Sequence, residues 1–362
     1  MLTKLHIQSF RGLQDFHLED LRPINVLVGE NNSGKTSVLE AMMAFLAPGS
    51  LRTWSYLLYA RDPDGDISNL GRLASWLFPV VGRDSMDERR DISIDGVWFG
   101  DSEKLTMNYR KDEEMMEAGR RRNQEGGWDE VLTSVSIAKV SASFFSSEGE
   151  KSGELRFIPR TRERRVFEPI KVEGGIERMP RRPVEYVKPH AHRSRGYSAN
   201  SISEAVRRGL KEVLLGFLQI FDSEISEIDV IEDSTVIIQH RTLGPLPLHA
   251  FGDGLRKALV VAGHAFRVPG GVLLVDEAES ALHVTCQRDF FTALFKLCES
   301  LQVQVFLTTH SLDAVDGIIQ ACSNPESLVG FHLPDRNSGQ TVKRMSGDIM
   351  ERLRFERGLD LR

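Results

Sequence analysis

The spacing of apolar and polar positions changes along the chain, and each change predicts an element. From Leu2 to Phe10, the apolar Leu5, Ile7 and Phe10 alternate with Lys4, His6 and Gln8, which predicts a strand. Phe10-Arg11-Gly12 then predicts a turn, with Phe16-His17-Leu18 returning as a second strand. The apolar run Ile24-Asn25-Val26-Leu27-Val28 predicts another strand, and a helix follows from about Gly34 to Leu46, stopping before Pro48-Gly49. Residues 50–82 carry a weak helical pattern around Trp54, Leu57, Leu58, Leu73, Trp76, Leu77 and Phe78, interrupted by the turn Asp62-Pro63-Asp64-Gly65. Residues 92–99 and 105–109 read as paired strands, and 131–145 as a further strand. Between them, Lys111 to Asp129 is dense in charge and contains Gly126-Gly127, so it predicts an exposed loop or mobile hairpin tip.

The second half turns to longer periods and continuous runs. Val206, Leu210, Val213, Leu214, Phe217 and Ile220 recur at helical spacing and predict one helix over 203–221, with strands at 225–231 and 235–240. The segment Phe251 to Lys257 leads into a helix through Phe266. Gly270-Gly271-Val272-Leu273-Leu274-Val275 and Gln302-Val303-Gln304-Val305-Phe306-Leu307 are the near-continuous runs that buried parallel strands need. The helix between them, about 285–300, makes a strand–helix–strand unit with a right-handed parallel crossover. Residues 328–333, 341–345 and a final helix close the chain.

The loop after the strand at 24–28 carries the chemistry. Gly29-Glu30-Asn31-Asn32-Ser33-Gly34-Lys35-Thr36 has the spacing of a phosphate-binding loop, in the strand–loop–helix setting that gives the pattern meaning. Its glycines let successive N–H groups turn toward phosphate oxygens. The helix start adds the positive end of its dipole, with Ser37 in the first turn. Lys35 places a compact cation on the outer phosphates, and the Thr36 hydroxyl is suited to ligate Mg²⁺. ATP and Mg²⁺ are therefore the expected ligands. Arg11 lies just upstream and reads either as a nucleotide contact or as a solvated turn arginine.

Two later strand ends complete a candidate site. The run at 272–275 ends in Asp276-Glu277: Asp276 can hold Mg²⁺ through water, and Glu277 can orient and polarise the attacking water. The run at 302–307 ends in Thr308-Thr309-His310-Ser311, where His310 is suited to sense the γ-phosphate by a hydrogen bond. Gly252-Asp253-Gly254 frees a helix N-terminus to face an anion, yet Lys35 already serves the only phosphate loop. The economical account is that Gly252 to Gly254 cap the γ-phosphate held by a second copy of the chain.

Charge and cysteine usage narrow the setting. The 362-residue chain carries a net charge of -6, which argues against wholesale non-specific nucleic-acid binding. Within 156–195, however, twelve basic residues face five acidic ones, broken by Pro159, Pro169, Pro180, Pro183 and Pro189. That segment reads as a phosphate-facing surface for DNA or RNA, or as a solvated loop-rich lobe. No apolar run approaches the ~18 residues of a membrane span, and the first residues open no signal peptide. Cys286, Cys298 and Cys322 have no metal-ligand spacing and read as buried free thiols, which suggests a reducing, cytoplasmic compartment.

Leu27 to Thr36, Phe251 to Gly254 and Asp276 to His283, in this order, resemble the ATP-binding-cassette (ABC) class of ATPases. Within it they look most like the RecF/SMC-like branch and the ATPase half of the OLD (overcoming lysogenization defect) family. The resemblance implies an α/β P-loop fold of ABC type, a mixed central sheet flanked by helices with an inserted α+β lobe. The core would be 1–48 with 246–362, and the lobe 49–245. It implies that Gly252 to Gly254 act in trans as the signature loop, that Ser280 to His283 form the D-loop at a homodimer seam, and that His310 is the switch histidine. Gly252 stands where transporters carry a serine, His283 where they carry an aspartate, and no Q-loop glutamine is evident. A transporter subunit is therefore the least favoured reading. OLD proteins carry a C-terminal nuclease domain, and only 52 residues follow His310, so a nuclease or toxin effector is expected to be a separate chain. The expectation is an ATPase that drives or gates a partner in DNA repair or anti-phage defence, or an ATP-gated scaffold that holds and releases an effector.

Overall fold

The computed structural model describes residues 1–59, 70–79, 91–122, 128–157, 170–193, 197–231, 235–334 and 341–361. In chain order the first elements are β1 (Leu2–Phe10), β2 (Leu13–Leu18), β3 (Ile24–Val28), α1 (Lys35–Leu46), α2 (Leu51–Tyr59) and α3 (Leu70–Ser75). Then come β4 (Ile92–Trp98), β5 (Asp101–Arg122), β6 (Trp128–Ser146), β7 (Gly149–Phe157), β8 (Ile170–Gly174), β9 (Val184–Val187), α4 (Tyr197–Arg207) and α5 (Lys211–Leu218). Next are β10 (Ile225–Ile231), β11 (Thr235–His240), β12 (Gly244–Pro247), α6 (Asp253–Ala265), β13 (Val272–Val275) and α7 (Val284–Ser300). The chain closes with β14 (Gln304–Thr309), α8 (Leu312–Ala321), β15 (Leu328–His332), β16 (Lys343–Ser346) and α9 (Gly347–Glu351). Among the described residues no helix is long and apolar enough to cross a membrane.

Two compact units share the chain: Met1–Lys4, Leu18–Leu39 and Arg182–Arg362 form the first, and Leu5–His17 with Glu40–Arg181 form the second. The first is built on a six-stranded sheet in the order β16-β15-β3-β14-β13-β9. Its strands run parallel except β16, which is antiparallel to β15, so the sheet is mixed. β3, β13 and β14 are buried along their whole length, which is why their sequences are continuous apolar runs instead of alternating ones. Phe217 of α5 packs edge-on against Phe290 of α7 with ring centroids 5.5 Å apart, and Phe290 stacks edge-on against Phe291 at 5.3 Å, in the core that carries these strands. A three-stranded antiparallel sheet, β10-β11-β12, completes the unit.

The seven-stranded sheet β2-β1-β4-β5-β6-β7-β8 belongs mostly to the second unit, and β4 to β8 form an antiparallel meander. Ile92, Ile94, Leu105, Met107, Val140, Phe144 and Leu155 bury one face of it.

Three expectations differ from this fold. The charged stretch from Lys111 is not a loop: β5 continues to Arg122 and pairs with β6 from Trp128 onward. Opposite charges meet across the strands, with Lys139 2.8 Å from Asp112 and 2.9 Å from Glu114, so the charge supports the ladder. The tip, 123–127, lies outside the described residues. The single helix expected over 203–221 is two helices, because Gly209 takes φ +68° and Leu210 N–H bonds back to the Ala205 carbonyl at 2.7 Å, closing α4 in a C-terminal turn. Finally, the division expected at 49 and 245 differs from the observed units. Residues 182–245 join the unit of the phosphate loop, since β9 pairs parallel with β13 at the sheet edge.

Candidate nucleotide site

The loop from Gly29 to Gly34 leaves the carboxyl end of β3 and enters α1. A Cβ at Gly29 would lie 2.5 Å from the Leu333 carbonyl oxygen, so only glycine fits there. Asn32 at φ +70° and Gly34 at φ +99° supply the left-handed turns that curl the loop. Asn31 and Asn32 stand exposed at its crest, while Ser33, Gly34, Lys35 and Ser37 are buried. The Lys35 ammonium fills the concavity: Nζ donates to the carbonyls of Gly29 and Glu30, each at 2.7 Å, and lies 3.4 Å from Ser33 Oγ. Burial lowers the Lys35 pKa from its ordinary value, against the opposing pull of Asp276, Glu279 and Glu277. A cation so placed, held by two carbonyls and a hydroxyl, is what an anionic phosphate would draw outward.

β14 sits between β3 and β13, so the three strand ends converge. Asp276 is the hub. Thr36 Oγ1 donates to Asp276 Oδ2 at 2.9 Å across 240 residues of sequence. Tyr186 of β9 donates its hydroxyl to the same oxygen at 2.8 Å, and Thr308 of β14 donates to Oδ1 at 2.5 Å. The Thr308 hydroxyl also accepts from the Glu277 backbone N–H at 2.8 Å. This second bond fixes Glu277, which holds φ +45°, a strained position for a non-glycine residue. Glu279 accepts from the His310 N–H at 3.2 Å, and its Oε1 lies 3.3 Å from His310 Nδ1, so the imidazole is oriented by a carboxylate. The Thr36 hydroxyl and the Asp276 carboxylate are hard oxygen donors side by side, and that donor set fits Mg²⁺.

Gly252 caps α6 with extended backbone, and Asp253 and Gly254 open its first turn. Gly254 allows a close approach: a Cβ there would lie 3.2 Å from the Ala281 carbonyl oxygen. The Asp253 carboxylate is engaged within the chain, 2.6 Å from Arg256 and 3.5 Å from both His192 and Arg193. Burial works against its ionisation, but Arg256, His192 and Arg193 hold its pKa below the usual carboxylate value.

Arg11 is neither solvated nor free. Its side chain lies in the second unit, 2.9 Å from Glu40 Oε2, and donates to the Leu57 carbonyl at 3.1 Å. The basic segment is divided between the two units at Arg181/Arg182, and residues 158–169 and 194–196 lie outside the described residues. Within it Arg156 pairs with Glu114 and with Glu173 at 2.6 Å, and Arg193 pairs with Asp253. Cys298 is buried as expected, whereas Cys286 and Cys322 are half-buried. Residues that the sequence did not reveal are Tyr186, Thr308, Glu279 and Lys257. Of these only Thr308 carried a signal, a hydroxyl placed at the end of an apolar strand.

These strand ends define a P-loop ATPase of the ABC type. The chain belongs to the family described as "AAA domain, putative AbiEii toxin, Type IV TA system", whose model matches residues 123–316, more than half its length. The model described as AAA ATPase domain matches residues 1–158. The chain is 21% identical over 336 residues to an ATP/GTP phosphatase of Helicobacter pylori, covering 87% of each. It is 23% identical over 330 residues to the OLD nuclease of Thermus scotoductus, covering 86% of this chain but 59% of the nuclease. Among solved structures, an Smc head bound to the C-terminal winged-helix domain of ScpA aligns over 99% of both chains at 12% identity and a TM-score of 0.48. The two family models and the two relatives agree on an ATPase domain of the AAA and OLD-like kind.

Proposed function

We propose that the chain hydrolyses ATP at the strand ends of β3, β13 and β14, within a head-to-tail homodimer that gates an effector. The contact between Thr36 and Asp276 carries this reading, because it joins the phosphate loop to the acidic strand end at 2.9 Å. Thr36 and Asp276 would hold Mg²⁺, which supplies charge neutralisation on the outer phosphates. Gly29, Asn31, Asn32, Ser33, Gly34, Lys35, Thr36 and Ser37 receive the triphosphate. Glu277 accepts a proton from the attacking water as its oxygen bonds the γ-phosphorus and the bond to the β-phosphate oxygen breaks, giving ADP and phosphate. His310, held by Glu279, donates to the γ-phosphate. Gly252, Asp253 and Gly254 of a second copy close the site from the opposite side.

The likeness to an OLD nuclease and the toxin–antitoxin description of the family support a role in DNA-related defence, with a nuclease or toxin as effector. The test is a Glu277→Gln variant, which keeps nucleotide binding and stalls hydrolysis. With saturating Mg·ATP it is expected to elute as a dimer by size-exclusion light scattering; a monomer under those conditions overturns the dimer mechanism. Phosphate release measured with and without DNA then separates a DNA-stimulated ATPase from an ATP-gated scaffold that turns over slowly.

A further inference from the structure

The hairpin of β1 and β2 carries a cluster that plays no part in the nucleotide site. His6, Asp15 and His17 each offer one ligand atom, and these atoms all lie within 4.8 Å of one another. His6 Nε2 is 2.9 Å and His17 Nε2 is 3.0 Å from the same oxygen, Asp15 Oδ1. The two imidazoles stack at 3.8 Å with their planes 13° apart. All three residues belong to the second unit.

A hydrogen-bond account of this cluster runs into the chemistry of His6. Its other ring nitrogen, Nδ1, lies 3.4 Å from Asp95 Oδ2, so carboxylates stand at both ends of one imidazole. Asp95 is itself held by Gln8 Nε2 at 2.7 Å and lies 3.6 Å from Lys104 Nζ. A neutral imidazole has one N–H. If Nδ1 carries it toward Asp95, the Nε2 lone pair faces the Asp15 carboxylate at 2.9 Å, and that contact calls for a positive charge, supplied by a second ring proton or by a metal ion bound to both. A carboxylate behind a histidine, with the far nitrogen turned to a second set of donors, is the arrangement that orients metal-bound histidines. The donor spacing fits as well. Ligands around a tetrahedral ion with bonds of about 2.0–2.1 Å stand about 3.3 Å apart, a few tenths more than the two observed contacts. Asp15 reaches the shared point because its backbone takes φ +48°. Its side chain is 84% exposed and that of His17 52%, so an ion enters directly from solvent and the His17 ring can tilt to converge on it.

We propose that His6, Asp15 and His17 form a surface site for Zn²⁺, with water completing the tetrahedron and Asp95 orienting His6. Two imidazoles and one carboxylate select a borderline ion over Mg²⁺, which prefers all-oxygen shells. The site staples the two strands on either side of the Arg11 turn, and so acts on the fold of the second unit and not on the chemistry at Asp276.

The test uses the untagged full chain, stripped of metal and held in excess Mg²⁺ so that Thr36 and Asp276 are occupied. Zinc chloride is titrated by calorimetry into the wild type, His17→Ala and Asp15→Asn. The expected result is one Zn²⁺ bound per wild-type chain and a loss of affinity of about tenfold or more in each variant. Copper(II) is used as a spectroscopic probe: the wild type should show electron paramagnetic resonance splitting from two nitrogen ligands, and His17→Ala from one. Asp15 is exposed, so Asp15→Asn folds, and its circular dichroism controls for structure. Equal zinc affinity in all three proteins, or a copper signal without nitrogen splitting, overturns the assignment and leaves a cluster held by hydrogen bonds alone.

Discussion

Lys257 offers the sharpest test of how the site is held together. It lies on α6 and is fully buried, with Nζ donating to Ser280 Oγ at 2.9 Å and to the Pro189 carbonyl at 3.3 Å. Burial lowers its pKa from 10.5 to about 8, opposed by the charges of Asp276, Glu279 and Glu277. The unfolded chain restores the ordinary value, so between pH 8 and 10.5 the unfolded state binds the proton that the folded state has released. Stability therefore rises with pH across that window, is complete above about 10.5, and is lost as pH falls through about 8. At about 1.4 kcal/mol per pH unit, the full span is worth about 3 kcal/mol. Lys257→Met removes the titrating group and fills similar space. Urea unfolding followed by circular dichroism from pH 7.5 to 10.5 should show the wild type gaining about 3 kcal/mol relative to Lys257→Met. Other lysines and tyrosines titrate in both proteins and cancel in the difference. Parallel curves for the two proteins would refute the reasoning, because they would mean that Lys257 keeps its proton in the folded state.

Two further substitutions probe the neighbouring contacts. Thr308→Val removes the donor to Asp276 and leaves the half-buried Glu277 N–H without its acceptor, which should cost about 2–3 kcal/mol in urea unfolding and raise the Mg²⁺ concentration for half-maximal ATPase. Thr308→Ser should restore both, and a valine variant matching wild type would remove Thr308 from the site. Arg11→Met takes the guanidinium away from Glu40, which is only 1% exposed, and should destabilise by about 3–5 kcal/mol, while Arg11→Met with Glu40→Met should recover most of that loss in the same assay. A double variant no more stable than the single one would show that the ion pair is not the cause.

The parts of the site that were legible in sequence are those whose chemistry is local. The phosphate loop follows its strand directly, and β13 and β14 announce themselves as buried runs ending in Asp276-Glu277 and His310. What pairs with them was not legible. β9 is four residues in a proline-rich, basic stretch, and it is a strand only because β13 offers it an edge. Tyr186 reaches Asp276 through that pairing, so nothing near Tyr186 in sequence marks it. The length of β5 was hidden because its charges find partners on β6, and such pairing is invisible along one strand. Glu40 did leave a trace. It is the lone carboxylate among Val38, Leu39, Ala41 and Met42 on an apolar helix, and a carboxylate in that position needs a buried cation.

The contacts around Asp276 also tie α6 to the acidic strand end. Asp276 is gripped from β9 by Tyr186 and from β14 by Thr308. The loop after it returns through Ser280, whose hydroxyl donates to the Pro189 carbonyl at 2.9 Å, two residues beyond β9. Lys257 donates to both Ser280 and Pro189, so one ammonium joins α6 to the loop on either side of the carboxylate hub. Gly254 closes the same gap from the start of α6, where no side chain keeps the helix away from Ala281. A shift of the α6 N-terminus must either carry Ser280 and Pro189 with it or break hydrogen bonds to a buried cation. The second course costs more than an ordinary hydrogen bond, so the first is favoured. If the proposed contact of Gly252 to Gly254 with a second copy's nucleotide forms, these hydrogen bonds give it a short, polar route to the carboxylate that faces Thr36.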